Sequence, residues 1–334
     1  MYTKKFFRTF SLALLIIGLA LVLTPQESHA AERIFLNIGT TNKTSILYPY
    51  YVNMIPLFRQ YAPNLRPTII ETGASVDNIN RLVQKQIDIG MSMDSTAYEA
   101  YSGLSRWEGQ PVKDLRAVLT YAVNTIPYVV TVESGVKNPM ELSGKKVFPG
   151  MRGSGNEAMC ELIFEALGIT PDWFRGSLSD AADAMKDRRV ICANKTSNGH
   201  APDATFLELQ TFIKLMPLDW TEDLVSKVKS TYPYFKTAQV PANAFQGQTE
   251  PVTTWATLLG DVALTSLPND TVYQYVKACF EGQEEQAKVY EVVRGADYVA
   301  ATLDMGIPLH AGTIKYFREI GVTIPDSLIP EEAR

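Results

Sequence analysis

Short apolar runs alternate with amphipathic stretches along most of the chain, the pattern of an α/β protein with largely parallel sheets. Residues 34–38 predict a strand, 50–61 a helix interrupted at Pro56, 68–71 a strand and 76–86 a helix. In the second helix Val76, Ile79, Leu82 and Val83 recur on one face, and Ser75 stands where an N-cap belongs. Residues 87–93 are the next strand. The series resumes with strands at 115–122 and 128–132, a helix start at Asn138 and Pro139, and a strand at 145–148. Ala158, Leu162, Ile163, Ala166 and Leu167 then share a helix face, with Gly168 placed to end it. A helix at 179–188 and strands at 190–194 and 213–218 complete a second α/β unit. From Pro268 onward the chain reads as largely helical, with a final helix ending at Gly321. A helical tail without a sheet of its own must pack on a core built earlier, which predicts a discontinuous first lobe. Lobe I is expected at 31–123 plus 253–334 and lobe II at 124–252, with crossings near Asn124 and Thr253.

One segment breaks this soluble pattern. Lys4, Lys5 and Arg8 precede the apolar run Leu12 to Leu23, which is followed by Pro25 and the small-residue end Ser28, His29, Ala30. That order is a secretory signal peptide over 1–30, and the run is shorter than the roughly 20 residues a membrane-spanning helix needs. Removing it takes three basic residues and Glu27 from the 31 basic and 36 acidic residues of the whole, leaving a net charge of −7. An acidic exported protein is not a general nucleic-acid binder. The three cysteines, Cys160, Cys192 and Cys279, form no C-x-x-C, so the spacing indicates neither zinc nor a thioredoxin-type site, and buried inert thiols are the expectation.

Candidate chemistry gathers where strands end. Thr41, Lys43 and Ser45 follow the first strand, Ser75 opens a helix, and Asp94 and Ser95 follow the strand at 87–93. Between the strand at 145–148 and its helix lie Arg152, Ser154, Gly155 and Asn156. Gly153 and Gly155 let the backbone approach a ligand, and Arg152 offers a bidentate grip on a carboxylate. Ser197 and His200 occupy a third such loop, and Tyr128 is a candidate cleft wall. Polar strand ends in two α/β units describe an interlobe cleft. Only His200 and His310 remain after the leader, no H-e-x-x-H or G-x-S-x-G pattern is present, and no cofactor or catalytic residue is indicated. Two readings follow: an exported receptor for a small solute, or an exported enzyme of similar bilobal form.

The ordered series Ile38-Gly39-Thr40, Tyr48-Pro49, Thr72-Gly73-Ala74-Ser75-Val76-Asp77-Asn78, Asp88-Ile89-Gly90, Gly153-Ser154-Gly155, Gly199-His200-Ala201-Pro202 and Gly306-Ile307-Pro308-Leu309-His310 resembles the TAXI family of receptors. These serve tripartite ATP-independent periplasmic (TRAP) transporters. The stretch 316–330 is also similar to that family's C-terminus. The resemblance spans nearly the whole chain after the leader. It implies a two-lobed periplasmic-binding-protein-like fold with a hinge, a small carboxylate-bearing solute such as an organic acid or amino acid, delivery to a membrane permease driven by an ion gradient, and no catalysis. Two departures stand out. The first loop, Gly-rich in the family, is Thr41-Asn42-Lys43-Thr44-Ser45, and Glu157 stands where the family carries a basic residue, so either Arg152, with Lys43, supplies the cation, or the ligand is less anionic and Glu157 faces an ammonium group.

Overall fold

The computed structural model describes residues 33–334, so the expected signal peptide lies outside the described residues. The fold is α/β and two-lobed. The first sheet begins with β1 (Ile34–Gly39), β2 (Leu65–Ile70) and β3 (Ile89–Met93), joined through α1 (Leu47–Tyr61) and α2 (Ser75–Val83). β1 lies between β2 and β3 and is parallel to both. After α3 (Asp94–Ser102) comes β4 (Leu115–Ile126). A second sheet contains β5 (Tyr128–Thr131), β6 (Lys146–Phe148), β7 (Asp172–Trp173), β8 (Cys192–Asn194) and β9 (Leu215–Pro217), in the order β7-β6-β8-β5-β9. It carries the helices α4 (Gly155–Leu167), α5 (Leu178–Lys186) and α6 (Ala204–Leu209). A further helix, α7 (Glu222–Thr231), leads to β10 (Lys236–Val240) and β11 (Val252–Leu264), both in the first sheet. β11 pairs antiparallel with β10, β3 and β4. The tail folds as α8 (Asn269–Glu281), α9 (Gln283–Ala287), α10 (Tyr298–Leu303) and α11 (Ala311–Glu319), and contributes only the bridge Ala117–Leu309 to a sheet.

Several expectations are corrected by local physics. α1 runs unbroken through Pro56: the carbonyl that loses its partner belongs to Val52, an exposed residue, so water can satisfy it. Ser75 is not the cap of α2. Ala74 holds the cap position at φ 80°, and the Ser75 hydroxyl instead accepts from the Met93 N–H at 3.1 Å, tying α2 to the end of β3. The helix expected at Pro139 is a single 3₁₀ turn, capped by Asn138. Gly168 ends α4 in the left-handed region, as its sequence context predicts. β10 lies inside the segment 124–252 yet hydrogen-bonds to the first sheet, while its last residue, Val240, and Phe245 beyond it pack in the second core. The chain from 236 to 252 therefore touches both sides.

Candidate functional site: a polar cavity between the sheets

A partly open cavity of about 70 Å³ lies between the strand ends of the two sheets. By the same measure one water needs about 10–15 Å³, so about five water-sized groups fit. From the first sheet it is lined by Thr41, Ser45, Ser75 and Met93, and from the second by Phe148, Ser154, Gly155 and Asn156. The loop after β8 supplies Lys195, Thr196, Ser197 and Asn198. An open groove of about 990 Å³ continues from it, the two sharing Ile46, Asn198 and Tyr290 as walls.

The loop before α4 shapes this space. Gly153 sits at φ +78°, a conformation that favours glycine, and turns the chain so that Ser154 caps α4, its hydroxyl accepting from the Glu157 N–H at 3.2 Å. The next N–H groups, of Gly155 and Asn156, belong to the first helical turn and have no intrahelical acceptor. Both residues line the cavity. Gly155 also presses on the first sheet: a Cβ there would lie 2.4 Å from the Met93 sulfur and 2.8 Å from the Thr96 hydroxyl.

The seam beside the cavity is closed by contacts between the two sides. The Gly153 carbonyl accepts from the N–H groups of Val76 and Asp77 at 3.1 and 3.2 Å, so one backbone oxygen caps α2 from across the seam. Asn42 Nδ2 meets the Met151 sulfur at 2.6 Å, and His200 Nδ1 lies 3.0 Å from the Gln239 carbonyl. Arg106 of the first side pairs with Glu161 of α4 at 2.5 Å, and Glu161 also pairs with Arg175 at 2.6 Å.

Seven of the expected residues meet in the cavity: Thr41, Ser45, Ser75, Ser154, Gly155, Asn156 and Ser197. Six do not. Lys43 is exposed and pairs with Glu71 at 3.1 Å, which also raises the Lys43 pKa, chiefly through that hydrogen bond. Asp94 is buried and already saturated, by Lys236 at 2.9 Å, Thr257 at 2.9 Å and the Leu258 N–H at 3.1 Å. Burial raises its pKa, against the pull of Lys236. Ser95 is buried within α3, and the Tyr128 ring is buried against Trp220 and Phe164 at 4.9 and 5.7 Å. Arg152 lies in a charged surface pocket with Arg106, Arg175, Glu157 and Glu161, and His200 lines the open groove. Glu157 points away from the cavity, accepting from the Gly153 N–H at 2.8 Å and pairing with Arg175.

The cavity's charged lining residue is Lys195, the first residue of the polar loop that also carries Ser197 and His200. Its ammonium pairs with the buried Asp203 at 3.0 Å, and Asp203 caps α6 through the Thr205 N–H at 2.8 Å. Asn124 is new to the site. Its Nδ2 donates to the Tyr290 hydroxyl at 2.7 Å and its Oδ1 accepts from the Gly199 N–H at 3.0 Å, bracing the loop after β8. Asn194 and Asn198 complete the amides, and the polar end of the strand at 190–194 was the sequence signal available for the former. The three cysteines are buried and unbridged, and burial pushes the Cys160 thiol up to about 12. Among the described residues no three His, Cys, Asp or Glu side chains group as metal ligands.

A Xanthomonas citri protein bound to chloride ion shares this fold, with TM-score 0.50, 8% identity, and coverage of 85% of this chain and 99% of that one. A Bordetella bronchiseptica protein aligns with TM-score 0.49 and 17% identity over 89% and 85% of the two chains. The alkanesulfonate-binding protein of Xanthomonas axonopodis pv. citri, bound to MOPS, aligns with TM-score 0.44 and 17% identity over 87% and 92%. Residues 38–321 match the model of the NMT1-like family, and over that span, which holds the whole second sheet and every residue lining the cavity, the chain belongs to the NMT1-like family.

Proposed function

We propose that the protein is an exported solute-binding receptor, which encloses a small carboxylate-bearing solute between its lobes and delivers it to a TRAP-type membrane permease. The observation that carries this reading is the cavity between the sheets, with apolar walls, a few convergent polar groups and the N-terminus of α4 opening into it. Unpaired N–H groups at a helix start favour an anion, and Lys195 adds a cation already balanced by Asp203. Neither Arg152 nor Lys43 is needed for that grip. Solute binds one lobe and is then covered by the other, swinging about the crossings near Asn124 and Thr253. The ordered family-like series from Ile38 to His310 supports the TRAP assignment and export to the periplasm.

Mass spectrometry of the small molecules released on denaturing the purified protein tests the reading. A carboxylate of roughly five to eight non-hydrogen atoms, with small-angle scattering showing compaction when it is added back, is the expected result. An uncharged solute, or no compaction at saturation, overturns it.

A further inference from the structure

Asn194, at the end of β8, is 1% exposed, and neither its Oδ1 nor its Nδ2 has a hydrogen-bond partner. The Tyr128 hydroxyl and the Cys160 thiol flank the amide, and neither meets it in full hydrogen-bond geometry. Asn198 Oδ1, in the same cavity wall, is a second buried acceptor left open. The other amides of the wall are engaged: Asn124 at both ends, and Asn156 through Oδ1, which accepts from the Thr196 hydroxyl at 2.8 Å. Buried polar atoms are normally satisfied, and each one left open is destabilising. Because both ends of the Asn194 amide are free, exchanging its O and N changes nothing in this account.

Resting on the receptor reading above, we infer that Asn194, with Asn198, is the specificity element for a second, neutral group on the solute, one that both donates and accepts a hydrogen bond. A hydroxyl or a carboxamide satisfies that requirement. A carboxylate does not, because it only accepts and would set lone pairs against the oxygens of Asn194 and Asn198. An ammonium does not, because it only donates and would leave Nδ2 open. The carboxylate therefore takes the Gly155 and Asn156 N–H groups, and the carbon next to it carries the hydroxyl or carboxamide that meets Asn194. A site built to hydrogen-bond a group discriminates against the analogue that lacks it, since its own buried atoms are then left unpaired.

Calorimetric titration with lactate, propionate and lactamide separates the two claims. Lactate is expected to bind about tenfold or more tightly than propionate, and Asn194→Leu to abolish that preference. Equal affinity for lactate and propionate in the native protein overturns the role of Asn194 and leaves the carboxylate reading standing, as does a preference that survives Asn194→Leu. Lactamide binding as tightly as lactate keeps the role of Asn194 and overturns the carboxylate. Failure of all three to bind by about 10 mM overturns both. Should circular dichroism show Asn194→Leu unfolded, Asn198→Ala takes its place: a lactate preference over propionate undiminished in that variant overturns the inference.

Discussion

The cavity and the seam pocket beside it lie on either side of the same short loop, Gly150 to Asn156, and handle charge in opposite ways. The seam gathers Arg106, Arg152, Arg175, Glu157 and Glu161, several of them part-exposed, with the Arg106–Glu161 pair crossing between the two sides. The cavity holds one charged lining residue, Lys195, already neutralised by Asp203, and otherwise presents apolar side chains with hydroxyls, amides and helix-end N–H groups among them. Full charges are costly to take out of water, whereas fixed dipoles lose less on burial. On the proposed receptor reading, charge serves closure and dipoles serve recognition.

The largest test concerns the one ion pair that the interior does hold. Lys195 and Asp203 have side chains only 12% and 5% exposed. Lys195→Met should lower the unfolding free energy by about 3–5 kcal/mol, because Asp203 is left buried and unpaired. Adding Asp203→Asn should recover much of that loss in denaturant titrations. A single variant as stable as the parent would show that the pair is solvated and blur the contrast between interior and seam.

Asp261 shows the other way the interior tolerates an acid. Burial, opposed by hydrogen bonds from Tyr51 at 2.5 Å and Tyr275 at 2.7 Å, leaves its carboxyl pushed up to about 7. An unfolded aspartate titrates near 3.9, so between those values the folded state holds the extra proton and stability falls as pH rises, levelling above about 7. Buried Glu99, also raised to about 7 mainly by burial, adds a slope of the same sign. Between pH 5 and pH 8 the urea-derived stability should drop by about 2–3 kcal/mol on account of Asp261 alone, and Asp261→Asn should remove that share. A slope unchanged by the substitution would place the titration elsewhere.

Gly155 joins the two regions. Gly155→Val would drive side-chain atoms into Met93 and Thr96, so solute affinity should fall by about a hundredfold, with a larger scattering radius in the presence of solute. Normal compaction in that variant would mean that the close approach is not needed for closure. The seam itself should give the smallest effect. Arg106→Ala removes one part-exposed pair and should shift closure by about 0.2–1 kcal/mol, an effect that fades at high salt. A tenfold loss of affinity would instead give the seam charges a direct part in recognition.

Much of the fold was legible because periodicity is local. The β1-to-β3 series, α4 with its Gly168 stop and the sheetless helical tail all follow from spacing within one element. What escaped depends on contacts distant in sequence. β10 and β11 gave no clear signal, although β11 is the strand on which β3, β4 and β10 all pair. Seven of the residues picked at strand ends line the cavity, since position at a sheet edge is a local property. Whether a side chain there is free is not local: Asp94 is taken by Lys236 from 142 residues away, and Asn124 is aimed by Tyr290 from 166 residues away. Arg152 was misplaced because a sequence does not reveal which side of a loop becomes the outside.

The Gly153 carbonyl that caps α2 across the seam is a main-chain group. No side-chain replacement deletes it, provided the loop keeps its glycine turn. If the receptor reading holds, the walls around Asn194, Lys195 and Ser197 can be exchanged one by one for residues suited to a different solute while this main-chain clasp between the two sides stays the same. Retargeting such a molecule as a biosensor would then be a matter of relining a pocket, with the backbone clasp left untouched.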